Sequence, residues 1–288
     1  MYPAKFDYVR AHSIEEALQL LSQHEDAKLL AGGHSLIPMM KLRLAQPTTV
    51  IDIGRIDGLR GVRRISGDDG DTLQIGALTT HAELAASAEL REHAPVIAEA
   101  AAAIGDAQVR HRGTIGGNIA HADPASDLPA ALLAAGATVH LQGPSGTRTV
   151  PASAFFVDLL TTDLGMDELV TGVEVPVRGE GTGQAYLKFE HPASGYAVVG
   201  AAAAVSMRGG ECTAASIYLN GVCATPLDGS AVAAKIAGTA ADDATINAAV
   251  AALTAEDPLA DVYASGEYRA HLAKVYAKRA LKAARDRA

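Results

Sequence analysis

Apolar positions follow two periods along this chain, and the changes between them mark out the elements. Ile14, Ala17, Leu18 and Leu21 recur at helical spacing, which puts them on one buried face. Ser13 stands before them with Glu16 three residues on, a capping box that closes the helix N-terminus. The run AKLLA at 27–31 reads as a buried strand stopping at Gly32-Gly33, and 49–53 and 72–77 read as two further strands. Thr80-His81-Ala82-Glu83 repeats the capping-box pattern and opens an Ala-rich helical stretch towards Leu90. A second helical stretch at 95–104 begins with Pro95, which a first turn tolerates. Residues 139–142 and 148–150 flank Gly143-Pro144-Ser145-Gly146 as a hairpin, and 169–175 forms a strand ending at Pro176.

Beyond that point the texture changes. RGEGTG at 178–183 is polar and Gly-rich, a domain boundary. Two long strand-like runs, 197–207 and 212–222, are joined by Arg208-Gly209-Gly210-Glu211, and helical stretches follow at 230–237, 245–253 and 267–284. The last carries Lys274, Lys278, Arg279, Lys282, Arg285 and Arg287 at or near its end, and reads as a solvated surface helix.

Composition then removes whole classes. With 24 basic against 33 acidic residues in 288 and a formal charge of −9, the chain is no nucleic-acid binder, because phosphate neutralisation needs clustered cations. Two cysteines, Cys212 and Cys223, build no disulfide framework, and without a C-x-x-C there is no zinc or iron–sulfur motif. No apolar run has the length of a spanning helix, and the opening MYPAKFDYVR lacks a signal-peptide core. The expectation is a soluble, cytoplasmic protein of about two domains. Ala supplies much of the apolar content, so elements must approach closely to bury enough area.

Candidate chemistry lies in two glycine segments about eighty residues apart, Ala31-Gly32-Gly33-His34-Ser35 and Thr114-Ile115-Gly116-Gly117-Asn118. Paired glycines let the backbone approach a ligand, and successive N–H groups can form a nest for phosphate oxygens. Hydroxyls from Ser35 and Thr114 and the amide of Asn118 would add donors, and two such loops suit a diphosphate. Neither a P-loop nor a G-x-G-x-x-G is present, so P-loop NTPases and Rossmann dinucleotide folds are disfavoured.

LLAGGHSLIPMMKLRLAQP and RGTIGGNIAHADPASDLPA resemble the two FAD-binding signatures of the medium subunit of the carbon monoxide dehydrogenase / xanthine dehydrogenase (molybdenum hydroxylase) family. The resemblance runs through FDYVRAHSIEEALQLL and LKFEHPASGYAVVGAAAAV to YRAHLAKVYAKRAL, essentially the whole chain. It implies an α+β fold. A vanillyl-alcohol oxidase-like FAD-binding region at 1–177, in subdomains of about 1–55 and 56–177, precedes a C-terminal domain at 178–288 with a small antiparallel sheet and helices. It also implies site residues. Ala31, Gly32, Gly33, His34 and Ser35 would line the first pyrophosphate loop, flanked by Leu30 and Leu36. Thr114, Gly116, Gly117 and Asn118 would form the second, with Asp127 hydrogen-bonding the cofactor. Val170 and Tyr196 would lie against the flavin ring, and Lys188 near it would favour the reduced, anionic flavin.

The histidines suggest no metal centre: His121 and Asp123 near Asp127, with His111 upstream, match no ligand spacing. Arg110-His111-Arg112 either offsets diphosphate charge or forms a solvated patch or subunit contact. No G-x-S-x-G supports a hydrolase. The resemblance implies a molybdopterin-type molybdenum cofactor and two [2Fe–2S] clusters. With only two cysteines in this chain, they are expected on a large and a small partner subunit, in a dimer of heterotrimers held near the inner face of the membrane through its partners. FAD in this chain would pass electrons to a quinone, NAD or dioxygen, with carbon monoxide the first substrate and aldehydes or N-heterocycles the alternative. A self-sufficient FAD oxidase and a non-catalytic assembly subunit are the remaining readings.

Overall fold

The structure is a computed structural model that describes residues 2–68 and 70–288. Its first sheet is small and parallel: β1 (Asp7–Arg10), β2 (Ala27–Leu30) and β3 (Thr49–Asp52) lie in the order β1-β3-β2. The connections are α1 (Ile14–Gln23) and α2 (Leu36–Lys41). Ser13 caps α1 by accepting the Glu16 N–H at 3.1 Å, while the Glu16 carboxylate takes the N–H of His12 at 2.7 Å. The box therefore closes one residue further out than the pattern predicts. β2 is an edge strand and only half-buried; the buried strand is β3, covered on both sides by its neighbours.

The second sheet is antiparallel, and its order is not that of the chain. β4 (Val62–Ile65) and β5 (Thr72–Gly76) are followed by α3 (His81–Ala86), α4 (Ala88–His93), α5 (Pro95–Ala103), α6 (Ala107–Arg110), α7 (Ile115–His121) and α8 (Leu128–Ala134). The hairpin β6 (Thr138–Gly143) and β7 (Gly146–Pro151) comes next, then α9 (Ala152–Phe155) and a two-stranded ribbon, β8 (Phe156–Asp158) with β9 (Thr161–Thr162). β10 (Leu169–Pro176) closes the region and inserts in the middle, giving β4-β5-β10-β6-β7. Neighbouring residues of β10 serve different cores: Leu169 packs with Ile51 and Leu78, Val170 with the larger cluster around Leu132 and Phe155. Thr80 forms both arms of its capping box. The Ala-rich helix expected beyond it breaks at Ser87, whose side chain caps α4 instead.

The third sheet, β11 (Thr182–Glu190), β12 (Ala197–Arg208), β13 (Glu211–Asn220) and β14 (Leu227–Asp228), is an antiparallel meander. Three helices accompany it: α10 (Ser230–Ile236), α11 (Asp243–Val250) and α12 (Gly266–Arg285). α12 is not simply a solvated helix. Leu272, Ala273, Ala277, Ala280, Leu281 and Ala284 bury one face on this domain's core, and part of the basic face is spent on Asp243, which binds both Lys282 and Arg285. Small residues permit the approach: a Cβ at Gly183 would stand 1.9 Å from the Ala284 carbonyl oxygen. Close backbone contact is how an Ala-rich chain reaches interior density.

α5 lies against β11 and ties the two regions together. Glu99 accepts the Tyr186 N–H at 2.9 Å and the Arg287 guanidinium at 2.7 Å. The Pro124 carbonyl takes the Gly221 N–H at 2.7 Å. Among the described residues, no helix is long and apolar enough to cross a membrane.

Candidate functional site

The two glycine segments, far apart in sequence, meet in space. Gly32 backs onto the Arg112–Gly113 main chain, and a Cβ there would clash with the Arg112 carbonyl. Gly33 has φ +75°, and Gly117 turns an exposed face towards Ala31. Behind this seam, the ring edge of His81 fills the space where a Gly113 side chain would project, and the His81 N–H donates to the Gly113 carbonyl at 3.0 Å.

The segments differ in what they offer. In the first, the N–H groups of Gly32, Gly33, His34 and Ser35 have no acceptor among the described residues, nor does the Ser35 hydroxyl. Four consecutive unpaired amides at partly exposed positions call for solvent or an anionic ligand. The second segment is not a loop. Thr114 caps α7, so Gly116 and Gly117 sit in its first turn. Ile115 N–H donates to Thr79 O, Gly116 to Ala77 O, Gly117 to Thr114 Oγ1 and Asn118 to Thr114 O. The expected nest of free amides is therefore absent there, because Thr79, Ala77 and the Thr114 cap take them. What remains is the exposed Cα face of Gly117, the Thr114 hydroxyl hydrogen and the Asn118 amide nitrogen; the Asn118 carbonyl oxygen accepts from Ser126 at 2.8 Å.

Asp127 lies just beyond and is buried, as is Lys188 on β11. Their charged groups are 2.9 Å apart. Tyr186, also buried, donates its hydroxyl to Asp127 at 2.6 Å. Gly200 makes room, since a Cβ there would stand 2.1 Å from the Tyr186 oxygen. Burial pushes the Asp127 carboxyl above its ordinary pKa, opposed by Lys188 and Tyr186, and burial raises the Tyr186 phenol as well. Lys188 also donates to the carbonyls of Ala103 and Gly195, at 2.5 Å and 2.8 Å. Sequence reasoning singled out Asp127 and Lys188 separately; their pairing, and the role of Tyr186 in it, leave no local signature.

The other candidates are scattered around this centre. Val170 is buried in the core of the second sheet beside a β-bulge. Tyr196 follows the β11–β12 turn and is half-exposed; its partial burial, and then the nearby Asp123 and Asp127, raise its pKa. Leu30 and Leu36 flank the first segment and are partly buried. Arg110 is structural, its guanidinium holding the carbonyls of Ile104 and Gly105, whereas His111 and Arg112 are exposed. Among the described residues no group of His, Cys, Asp and Glu side chains is arranged to hold a metal ion.

Residues 4–178 match the family model described as the FAD binding domain in molybdopterin dehydrogenase, and 184–284 the CO dehydrogenase flavoprotein C-terminal domain. The carbon monoxide dehydrogenase medium chain of Hydrogenophaga pseudoflava is 42% identical over 286 residues, 99% of this chain and 98% of that one. The solved carbon monoxide dehydrogenase of Hydrogenophaga pseudoflava that lacks the Mo-pyranopterin moiety superposes with TM-score 0.95 at 43% identity, covering 100% of this chain and 99% of its counterpart. Quinoline 2-oxidoreductase from Pseudomonas putida 86 gives 0.92 at 30% identity, covering 99% of each chain. The chain belongs to the carbon monoxide dehydrogenase / xanthine dehydrogenase family, as a FAD-binding medium subunit of a molybdenum hydroxylase.

Proposed function

We propose that this chain carries FAD between the iron–sulfur clusters of a small partner subunit and an external acceptor, either a quinone, NAD or dioxygen. A large subunit would hold the molybdenum cofactor, in a dimer of heterotrimers acting in the cytoplasm. The observation that carries the reading is the row of unpaired amides at Gly32, Gly33, His34 and Ser35, in a segment that packs against the second one at Gly32–Arg112 and Ala31–Gly117. That chemistry fits a diphosphate, which needs donors on one side and close backbone approach on the other.

In this reading the first segment, with Ala31 and the flanking Leu30 and Leu36, supplies the amides. Thr114, Gly116, Gly117 and Asn118 supply the wall opposite, and Asp127, Lys188, Val170 and Tyr196 border the flavin. The bound flavin supplies the ability to accept and release electrons. The protein's own residues bind it, orient it and set its surroundings; no general acid or base for an organic substrate is assigned. The FAD-binding region spans 1–177 in two vanillyl-alcohol oxidase-like subdomains parting near residue 55, and 178–288 forms the third unit.

Carbon monoxide is the favoured substrate of the whole enzyme, given a carbon monoxide dehydrogenase medium chain 42% identical over nearly full length. The likeness to a quinoline-oxidising enzyme favours an N-heterocycle as the second reading. Purification from the native source tests the assignment. Equimolar large and small subunits with flavin, iron and molybdenum are expected; a yellow monomer that turns over a small alcohol would overturn it.

A further inference from the structure

Tyr196 is the residue of the β11–β12 turn that the proposed function sets against the flavin, and none of the described residues holds its hydroxyl. Among the described residues the Tyr196 side chain makes no hydrogen bond, and the residue is 48% exposed. Its position is inherited from the main chain. His191 N–H donates to Tyr196 O and Gly195 N–H to His191 O, both at 2.8 Å, which folds residues 191–196 into a tight loop. Gly195 has φ +70°, and a Cβ there would come within 3.2 Å of the Gly105 Cα. One face of Gly195 is thus seated on the α5–α6 connection. Its carbonyl is seated by Lys188.

We propose that Lys188 is a positioning residue that acts through the Gly195 carbonyl to fix Tyr196. An ammonium has three donors, and all three are engaged: Gly195 O at 2.8 Å, Ala103 O at 2.5 Å and Asp127. The side chain is 4% exposed, so water does not compete for them. Lys188 therefore clasps the end of α5, the carboxylate after α7 and the Tyr196 loop in one place. Asp127 offsets its charge at 2.9 Å, which blunts any direct electrostatic action on a neighbouring flavin. The geometry directs its influence through the loop. This rests on the reading that Tyr196 borders the flavin, and the test separates the two.

A cycle of variants in the FAD-loaded protein decides it, read by flavin fluorescence, which a stacked tyrosine quenches, and by flavin midpoint potential. Tyr196→Ala should raise the fluorescence several-fold. Lys188→Met should do the same; the charge-balanced pair Asp127→Asn with Lys188→Met replaces it where the single variant does not fold. Gly195→Val, which leaves Lys188 and Asp127 intact but unseats the loop from Gly105, should match them. Combined with Tyr196→Ala, none should add further, because coupled sites are non-additive. If loss of Lys188 shifts fluorescence and potential equally with and without Tyr196, Lys188 acts by charge and the proposal is overturned. If Tyr196→Ala leaves fluorescence unchanged while flavin stays bound, the placing of Tyr196 fails, and the latch with it, although the diphosphate assignment stands.

Discussion

The Arg112 carbonyl presses on Gly32 so closely that a Cβ at Gly32 would stand 2.0 Å from its oxygen. The first and second glycine segments therefore touch main chain to main chain, with no side chain between them. Gly32→Ala should part them, at a cost of about 1–3 kcal/mol of the kind seen on overpacking. A lowered urea midpoint together with weakened FAD retention is expected. An unchanged midpoint would show that the seam yields without cost.

Gly33 and Gly117 distinguish strain from occlusion. At Gly33 the backbone is left-handed and a Cβ would lie 2.7 Å from Ile37 Cδ1, so Gly33→Val should lose FAD and also about 1–3 kcal/mol of stability. At Gly117 the nearest atoms to a new Cβ are Thr114 Oγ1 at 3.0 Å and Ala31 Cβ at 3.9 Å. Gly117→Val should therefore stay folded while filling the face proposed for the cofactor. Flavin-to-protein ratio and circular dichroism of both variants check this, and full flavin content in Gly117→Val would refute the assignment.

Removing one member of the buried ion pair should be worse than removing both charges. Asp127→Ala leaves Lys188 charged and enclosed, for which about 3–5 kcal/mol is typical. Asp127→Asn combined with Lys188→Met should lose clearly less. Denaturant unfolding of the two variants measures the difference, and equal losses would mean that the pair is solvated.

His81 should make stability fall in mild acid. Burial, with His34 nearby, lowers its pKa from 6.5 to about 4, and its Nδ1 is buried with no partner among the described residues. The neutral ring suits that site, and a second N–H would find no acceptor among the described residues. Since the unfolded chain takes up this proton first, the contribution is intact above about pH 6.5 and is lost progressively as pH falls towards 4. Across that window it amounts to about 3 kcal/mol. Urea midpoints at several pH values should fall more steeply for the native chain than for His81→Phe; parallel curves would exclude His81 as the source.

What the sequence disclosed was mostly what is encoded within a few residues. The Thr80 capping box and the Gly143–Gly146 hairpin are local patterns, and they formed, whereas the buried face of α12 on its domain's core was not read from the sequence. Glycine misled at α7: Gly116 and Gly117 argue against a helix, yet Thr114 caps one there and Gly116 packs directly on Ala77. Tertiary contact outweighed propensity. β1, β4 and β11 escaped notice because polar and apolar residues mix in DYVR, VRRI and TGQAYLKFE according to neighbours far along the chain. The likeness to flavoprotein signatures located the glycine segments, but not which of the two keeps free amides. That depends on hydrogen bonds to Thr79 and Ala77, which no spacing encodes.

The place of β10 governs when this protein can be finished. β4 with β5, and β6 with β7, are pairs that no strand joins until residues 169–176 slide between them. A nascent chain halted before Leu169 holds two separate ribbons with open edges, each exposing half of the groove meant for one strand. Synthesis from the N-terminus must therefore carry an uncompleted sheet past the ribbon at 156–162, and the last strand made in this region is the one that seals both cores at once.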